Sequence, residues 1–278
     1  MLIQARAKIN LRLEVLGRRQ DGYHELQMIM APIDLADELT LERSDHDRIH
    51  FTCDDDNLPT GEDNLVVRAA KVILAEAGVD QGVSIHLRKR IPVAAGLGGG
   101  SSDAAAVLMG LREFFALDVA EHKLHQLALQ LGADVPFFLM KQACLVRGIG
   151  EKLTPFSVPS GLALALVKPQ AGLSTAEVYQ ALGWPLTEVR KATNLPLSFG
   201  DGDVVSAWLR NDLEAPATQR MPQIKTCKNM LLDAGAQGAL MSGSGPTVFG
   251  IFPDSADAVS ACERARNENF WAQPCTLA

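Results

Sequence analysis

The sequence predicts a mixed α+β protein in two lobes, and three features of its apolar pattern lead to that class. Residues 3–15 alternate apolar and polar side chains almost without interruption, which is the period of a β-strand with one buried face. Strand-like and helix-like segments then follow one another without the regular alternation of a βαβ repeat. A cluster of prolines and a glycine at 155–161 breaks the pattern, and a second set of elements begins after it.

The first lobe is expected to begin with a strand and to contain helices with recognisable end signals. The alternation of residues 3–15 places Lys8 and Asn10 side by side on the polar face of that strand. Residues 64–77 have helical spacing, and Gly78 ends them because glycine readily adopts the left-handed conformation of a helix C-terminus. The remaining predicted elements are strands over 39–41, 49–51 and 83–87 and helices over 102–115 and 121–131.

The second lobe is expected to be a small sheet with helices on one face. We place the boundary in the break at 155–161, which gives domains of 1–158 and 159–278 with a cleft between them for two substrates. The predicted elements are a strand over 162–167, helices over 174–182, 204–213, 222–234 and 256–266, and a hairpin of 238–241 with 248–252.

A glycine-rich segment between residues 92 and 103 carries the strongest functional signal. Four of the five residues from Gly96 to Gly100 are glycines, so a ligand can lie directly on backbone N–H groups. Two serines and Asp103 then open an apolar run with helical spacing. A glycine loop that leads into a helix presents unpaired N–H donors and the positive end of the helix dipole, which together bind phosphate. The sequence therefore predicts a site for a nucleoside triphosphate.

The same segment has other interpretations, which its residues argue against. A flexible turn capped by Ser101 or Ser102 would not need four glycines, because glycines lose much conformational entropy on folding. A P-loop is excluded because no lysine follows the glycines. The dinucleotide pattern G-x-G-x-x-G fails because Ser101 stands at its last position.

Composition limits the classes of partner and compartment. A formal net charge of −7 argues against a general nucleic-acid surface, and no window offers the roughly 20 apolar residues of a membrane span. Five scattered cysteines without a C-x-x-C pair are typical of reduced thiols. His122 and His125 are one helical turn apart without a third ligand, and we expect them on a helix surface. The expected protein is cytoplasmic, without a nucleic-acid or membrane partner, and a monomer or weak homodimer.

The glycine segment resembles the P-x-x-x-G-L-G-S-S-x-A motif of the GHMP kinases, the superfamily of galactokinase, homoserine kinase, mevalonate kinase and phosphomevalonate kinase. Asp21–His24 is specific to one branch of that superfamily, which acts on a cytidine-diphosphate substrate. The resemblance implies an N-terminal lobe like domain 2 of ribosomal protein S5, a C-terminal ferredoxin-like α/β sandwich lobe, and an active site in the cleft. It spans nearly the whole chain through four more segments, Ala7–Leu11, Arg18–Leu26, Gly132–Phe138 and the C-terminal glycine loop Ser242–Thr247.

The resemblance also implies an activity. The γ-phosphoryl group of ATP would move to the tertiary 2-hydroxyl of cytidine-diphospho-methylerythritol, a step of non-mevalonate isoprenoid synthesis. Asp134 would accept the hydroxyl proton, and Lys8 would orient the carboxylate and the hydroxyl. Residue type alone leaves Asp134 open as the N-cap of a short helix and Lys8 as an ordinary surface lysine. Mg²⁺ would bridge phosphate oxygens with few protein ligands, and Ser102 is the candidate hydroxyl near it.

Binding residues for the two substrates follow from the same resemblance. The cytidine end would lie against Tyr23 and His24, with Tyr179 as a second stacking ring where the family often has phenylalanine. The substrate set also includes Asn10 and Thr175, and the ATP set is Pro92, Gly96, Leu97, Gly98, Gly99, Gly100, Ser101, Ser102, Asn64, Leu65 and Lys89.

Two other functions stay open at this point. Another GHMP small-molecule kinase, acting on homoserine or a mevalonate derivative, would share the glycine loop but has no need of Tyr23 and His24. A non-catalytic ligand sensor on the same scaffold need not retain both Lys8 and Asp134. Release of ADP with a cytidine substrate would separate these alternatives.

Overall fold

The computed structural model describes residues 1–44, 49–183, 190–196, 198–200 and 202–278, without the side chains of 202–204. Its strands are β1 (Leu2–Arg18), β2 (His24–Ser44), β3 (Ile49–Cys53), β4 (Gly82–Arg88), β5 (Cys144–Gly148), β6 (Lys152–Pro155), β7 (Ala163–Lys168), β8 (Arg210–Asn211), β9 (Gly238–Met241), β10 (Val248–Phe252) and β11 (Trp271–Thr276). Its helices are α1 (Leu65–Ala77), α2 (Gly99–Phe114), α3 (Glu121–Leu131), α4 (Val135–Met140), α5 (Thr175–Ala181), α6 (Gly202–Ala207), α7 (Glu214–Arg220), α8 (Gln223–Asp233) and α9 (Ser255–Asn267). Among these residues, no helix is long and apolar enough to cross a membrane.

The predicted N-terminal strand is confirmed as β1, but its polar face is buried along with its apolar face. Four polar side chains of that face are buried, namely Lys8, Asn10, Arg12 and Glu14. The expectation of a single buried face is therefore wrong for this half of the strand. Burial is tolerated because each of these four side chains has at least one polar partner inside the protein, as in the ion pair of 2.7 Å between Arg12 and Glu14.

The chain divides into two compact units, and the first comprises residues 1–7, 35–92 and 98–141. In it, β4 pairs antiparallel with the C-terminal part of β2 and parallel with β3. Helices α1 and α2 pack against each other, and α3 and α4 pack against α2. Gly78 ends α1 in the left-handed conformation, with φ 64°, as the sequence predicts.

Helix α2 begins at Gly99 rather than at the predicted Ser102. Its N-cap residue is Gly98, in the left-handed conformation with φ 73°. Ser101 and Ser102 therefore lie in the first turn of the helix, and the interpretation of either serine as the cap is wrong. The physical reason is that glycine adopts a positive φ without steric penalty, so the chain can enter the helix earlier than the serines suggest.

The second unit comprises residues 8–34, 93–97 and 142–278. In it, β5 pairs antiparallel with the N-terminal part of β2 and with β6, and β8 pairs parallel with β1. Four further strands form an antiparallel sheet in the order β11-β7-β10-β9. With α8 and α9, which both pack against β7 and β10, they make the β-α-β-β-α-β order of a ferredoxin-like fold. The domain boundary predicted after residue 158 stays a prediction.

The segment predicted as a helix over 204–213 is instead a short helix followed by a strand. Helix α6 ends at Ala207, and β8 covers Arg210 and Asn211. These two residues pair with Arg12 and Leu13 of β1. Pairing with a strand about 200 residues earlier in the chain overrides the local helical spacing, and local spacing cannot reveal it.

All five cysteines have free thiols, as their number and spacing predict. Burial raises the pKa of Cys144 and Cys262 to about 11 and the pKa of Cys227 to about 12. These three thiols are therefore uncharged at neutral pH, and they act as small apolar side chains rather than nucleophiles.

Candidate active site

The first glycine loop, defined as residues 96–100, leads into α2 with a geometry that requires glycine. Gly96 and Gly98 have φ of 76° and 73°, a region that residues with a side chain rarely adopt. A Cβ atom on Gly99 would lie 3.1 Å from Ile91 Cγ2 and 3.2 Å from Lys89 Nζ. The first N–H groups of α2 have no acceptor within the helix. The loop therefore offers backbone donors at the positive end of a helix of 16 residues.

A buried cluster of one ammonium and two carboxyl groups, the Asp37–Lys89–Asp103 cluster, lies beside this loop. Lys89 Nζ is 2.5 Å from Asp37 Oδ2 and 3.1 Å from Asp103 Oδ2. Asp37 Oδ1 also accepts hydrogen bonds from the backbone N–H groups of Arg90 and Ile91. Burial raises the pKa of Asp103 to about 8, although Lys89 opposes this shift. Burial by itself would lower the pKa of Lys89, but the two carboxylates raise it. The cluster holds the residues before the first glycine loop in place.

Lys8 and Asn10 meet the first glycine loop from β1. Lys8 Nζ donates to Asn10 Oδ1 at 2.5 Å and to the carbonyl oxygen of Gly96 at 3.0 Å. The backbone N–H of Lys8 donates to the carbonyl oxygen of Leu97 at 3.0 Å. Lys8 is only 3% exposed, so the alternative of an ordinary surface lysine is wrong. A buried ammonium fixed by amide and carbonyl oxygens is suited to stabilise negative charge at a defined point.

The second glycine loop, defined as residues 242–245, lies against the same lysine. Ser242 Oγ donates to the carbonyl oxygen of Gly96 at 2.9 Å and accepts from the backbone N–H of Asn10 at 3.3 Å. A Cβ atom on Gly96 would lie 2.2 Å from the carbonyl oxygen of Ser242, so only glycine fits at this contact. A Cβ atom on Gly243 would lie 3.2 Å from Lys8 Nζ. The second loop thus packs its backbone directly against the ammonium.

Asp134 stands just before α4 but does not cap it. Its backbone is helical, with φ −85° and ψ −15°, and its carboxylate makes no capping hydrogen bond to the helix. Asp134 is half-buried, and the apolar residues that follow it, Val135 and Phe137, are buried. The capping alternative is therefore wrong, and the carboxylate is not engaged by the helix end beside it.

The residues expected to bind a cytidine ring lie in the second unit. His24 stacks on Tyr179 with ring centroids 4.9 Å apart, and Thr175 Oγ1 lies 2.7 Å from Ser244 Oγ of the second glycine loop. Burial, aided by Arg18, lowers the pKa of His24, so the imidazole is neutral at pH 7 and can both donate and accept a hydrogen bond. Tyr23 is 60% exposed, and among the described residues no ring stacks on it.

Other residues expected in the site have partners within the first unit. Asn64 Oδ1 accepts from the N–H of Val66 at 2.9 Å and so caps α1. Leu65 lies near the first glycine loop, because its Cδ1 would be 3.7 Å from a Cβ on Gly100. Ser102 Oγ donates to the carbonyl oxygen of Arg6 at 2.6 Å and keeps lone pairs for another partner. Within the described chain, no group of three His, Cys, Asp or Glu residues could hold a metal ion unaided.

Sequence reasoning missed the acidic half of the Asp37–Lys89–Asp103 cluster. Asp37 lies within a strand of largely apolar residues and is fully buried. A carboxylate in such a run is itself a signal, because a buried carboxylate needs a charged or hydrogen-bonding partner. The sequence does not show which cation supplies that partner.

Comparisons with known proteins agree with this geometry. Residues 64–142, which contain the first glycine loop and Asp134, match the model of the GHMP kinase N-terminal domain. Residues 191–270, which contain the second glycine loop, match the model of the GHMP kinase C-terminal domain. The fold and the two loops therefore define a class, that of the GHMP kinases.

Relatives with assigned names narrow this class. A 4-diphosphocytidyl-2-C-methyl-D-erythritol kinase of Geobacter metallireducens is 46% identical over 271 residues, which cover 98% of this chain and 96% of the relative. The kinase of that name from Alkaliphilus metalliredigens is 45% identical over 94% of this chain and 91% of the relative. The chain belongs to the family of 4-diphosphocytidyl-2-C-methyl-D-erythritol kinases.

Solved structures place the fold in the same family. A crystal structure of 4-(cytidine 5'-diphospho)-2C-methyl-D-erythritol kinase superposes with a TM-score of 0.86 and 38% identity, covering 100% of this chain and 99% of that one. A mevalonate kinase superposes with a TM-score of 0.74 but only 13% identity, over 100% of this chain and 99% of that one. The second likeness concerns the fold alone.

Proposed function

We propose that this protein is an ATP-dependent kinase that phosphorylates the 2-hydroxyl of 4-diphosphocytidyl-2-C-methyl-D-erythritol. The observation that carries the proposal is the buried Lys8 ammonium, held by Asn10 Oδ1 and the Gly96 carbonyl oxygen at the start of a phosphate-type glycine loop. A ligand sensor has no need of an ammonium fixed at this point. The relatives of about 45% identity that span the chain are named for this reaction, which supports the choice of substrate.

Asp134 is proposed to accept the proton of the attacking hydroxyl. An aspartate carboxylate is a weak base at neutral pH, too weak to form an alkoxide before the phosphoryl group moves. Phosphoryl transfer through a loose transition state needs little push from the nucleophile, so the proton can leave late. Lys8 stabilises the negative charge that develops around the transferred group, and most of the rate acceleration comes from alignment and from such fixed charges.

The backbone of the first glycine loop is proposed to hold the phosphates of ATP. The N–H groups at the start of α2 and the helix dipole favour negative charge there. Mg²⁺ would offset charge on the phosphates when it is bound with ATP. The Ser102 hydroxyl fits such a role, because its hydrogen atom is directed to the carbonyl of Arg6 and its lone pairs can face a cation. We propose that the adenosine site is lined by Asn64, Leu65 and Lys89.

Tyr23, His24, Tyr179 and Thr175 are proposed to bind the cytidine end, with Asn10 near the acceptor alcohol. An exposed tyrosine ring offers a face to a pyrimidine, and a neutral histidine can hydrogen-bond the edge of the base. The stack of His24 on Tyr179 places both rings in one location, which suits recognition of a flat base. A cytoplasmic location and a monomer or weak homodimer remain our predictions.

A coupled ADP-release assay with three acceptors tests this function. We expect turnover with cytidine-diphospho-methylerythritol and none above background with homoserine or mevalonate. The matched control is Asp134→Asn, which should bind the cytidine substrate in a calorimetric titration but release ADP at least about 100-fold more slowly. Turnover with homoserine or mevalonate instead would assign a different GHMP kinase, and binding of the cytidine substrate without ADP release by the wild type would assign a sensor.

A further inference from the structure

A short segment outside the glycine loops connects β1 to the second glycine loop. Asn211, the last residue of β8, is 8% exposed, and its amide is fully engaged in the protein interior. Its Nδ2 donates to the carbonyl oxygens of Met241 at 2.8 Å and Gly243 at 2.7 Å, while its Oδ1 accepts from the N–H of Leu213 at 2.9 Å. The Asn211 side chain therefore hydrogen-bonds to the backbone on both sides of Ser242.

These hydrogen bonds of Asn211 fix the backbone that carries Ser242 and Gly243. With the carbonyls of Met241 and Gly243 fixed, the hydroxyl of Ser242 between them reaches the Gly96 carbonyl and the Asn10 N–H. Gly243 itself lies so near Lys8 that a Cβ there would be 3.2 Å from Nζ. Asn211 thus reaches the ammonium by two routes. One runs directly through Gly243, and the other runs through Ser242 to Gly96 and Asn10, which bind Lys8.

The neighbours of Asn211 anchor the same segment at both ends. Asp212 Oδ2 accepts from the N–H of Val15, and the Asp212 N–H donates to the carbonyl of Leu13, both at 3.0 Å on β1. Glu214 Oε2 accepts from the N–H of Met241 at 2.9 Å. Since β1 also carries Lys8 and Asn10, the segment 211–214 fixes the second glycine loop relative to the strand that carries the ammonium.

We propose that Asn211 is a positioning residue for phosphoryl transfer, which holds the second glycine loop so that Ser242 and Gly243 fix Lys8 in its working place. Asn211 touches neither substrate nor reacting atoms in this role, which rests on the kinase function proposed above. Without its two N–H donors, two buried carbonyls lose their partners and the loop relaxes to find others. A shift of about 1 Å at a charge that stabilises the transition state can lower the rate about 100-fold. Substrate binding, which uses other groups, should change little.

Two variants of Asn211 test this, because they differ in what they leave in place. Asn211→Ala removes the donors and the acceptor, and it should lower kcat by about 10- to 100-fold with KM for both substrates within about 3-fold. Asn211→Asp keeps the acceptor for Leu213 but turns an oxygen toward the two carbonyls. Protonation of that buried carboxyl restores one donor, so kcat of Asn211→Asp relative to wild type should rise as pH falls from about 8 to about 6.

A matched control separates positioning from a general loss of stability. Arg266 also ties buried backbone in the C-terminal sheet, since its Nε and Nη2 both donate to the carbonyl of Ala272. Arg266→Ala should lower Tm without lowering kcat. Should Asn211→Ala fail to fold, Ser242→Ala breaks the next contact of the same path and should give the same loss of kcat.

The outcomes distinguish this inference from the proposed function. A selective loss of kcat in folded variants, with partial recovery of Asn211→Asp at low pH, supports the positioning role. If the wild type is active but folded Asn211 variants keep its kcat, the positioning role alone is overturned. The same holds if Arg266→Ala loses as much kcat as Asn211→Ala at a similar fall in Tm. A wild type that does not phosphorylate the cytidine substrate overturns the proposed function and this role together.

Discussion

The two glycine loops have similar compositions but differ in which of their backbone groups the protein leaves without a partner. In the first loop, glycines bring the chain to the start of α2, where N–H groups have no acceptor within the helix. In the second loop, backbone groups are bound by the protein: Asn211 holds the carbonyl of Gly243, and Ser242 and Thr247 share a hydrogen bond. The first loop thus leaves N–H groups for the proposed phosphate, whereas Gly243 in the second loop leaves room for Lys8.

This difference shows that glycine density alone does not identify a ligand site. The useful question is which partner takes the N–H and C=O groups that the glycines expose. Gly96 belongs to the first loop but faces the second, because a Cβ there would lie 2.2 Å from the Ser242 carbonyl oxygen. Variants that change one loop at a time therefore separate these two roles.

Removal of the charges assigned to catalysis should have the largest effect. Lys8→Ala removes the ammonium against which the second loop packs, and Asp134→Asn removes the proposed base. Each should lower kcat at least about 100-fold, equivalent to roughly 2.7 kcal/mol of barrier. Steady-state ADP release measures this loss, and circular dichroism checks that each variant is folded. Near-normal turnover in either folded variant would show that the substituted residue has no catalytic role. For Lys8, it would also show that the contact of the second loop with the ammonium does not affect catalysis.

Substitutions in the first loop should instead damage the use of ATP. Gly98→Val forces a side chain into positive φ, and Gly99→Val collides with Ile91 and Lys89. We expect KM for ATP to rise by about 10-fold or more, while binding of the cytidine substrate changes little. Gly61→Ala is the control outside both loops, because a methyl group there would have no atom within 4 Å. A folded Gly99→Val enzyme with normal KM for ATP would show that this loop does not hold phosphate.

Tyr23 lies in neither loop, and its replacement should affect one ligand only. Since the ring is 60% exposed, Tyr23→Ala should leave Tm nearly unchanged. Loss of a stacked base should weaken binding of the cytidine substrate by about 1–3 kcal/mol, roughly 5- to 150-fold in Kd. Calorimetric titration of the cytidine substrate and ATP on the same variant measures both. Equal losses for the two ligands would indicate a folding defect, and no loss for either would place Tyr23 outside the site.

The smallest expected effect concerns the Asp37–Lys89–Asp103 cluster beside the first loop. Because burial raises the pKa of Asp103 to about 8, the folded protein binds more protons than the unfolded chain between about pH 4 and pH 8. Stability from this group therefore falls as pH rises through that window. Asp103→Asn keeps an oxygen for Lys89 and does not ionise, so its Tm at pH 8 should exceed that of the wild type by a few degrees, on the order of 1 kcal/mol. Calorimetry at pH 5 and pH 8 decides this, and equal pH slopes for the two proteins would contradict it.

The sequence predicts the parts of the fold and site that depend on local physics. β1 follows from its two-residue period, and the first glycine loop from its composition, because both signals lie within a few consecutive residues. The β9–β10 hairpin and the helix that Gly78 ends are predicted for the same reason.

The missed features depend on contacts between residues far apart in the chain. Asp37 meets Lys89 across 52 positions, and Asn211 meets Gly243 across 32. The polar face of β1 is buried because other segments cover it and supply partners, which the two-residue period cannot reveal. β8 forms where a helix is predicted, because pairing with β1 outweighs local spacing.

The register of β1 determines both which of its residues enter the apolar core and which supply buried polar groups. Its odd-numbered residues from Ala7 to Val15 fill the apolar core, and its even-numbered residues from Lys8 to Glu14 supply buried polar groups. Insertion or deletion of one residue inside this span would exchange the two faces of everything beyond it. Polar side chains would then point into the apolar core, and apolar side chains would take the places of the buried polar groups. Both the apolar core and the buried polar groups therefore fix the number of residues in β1. Relatives that keep Lys8 and Asn10 should differ in the sequence of this strand but not in its length.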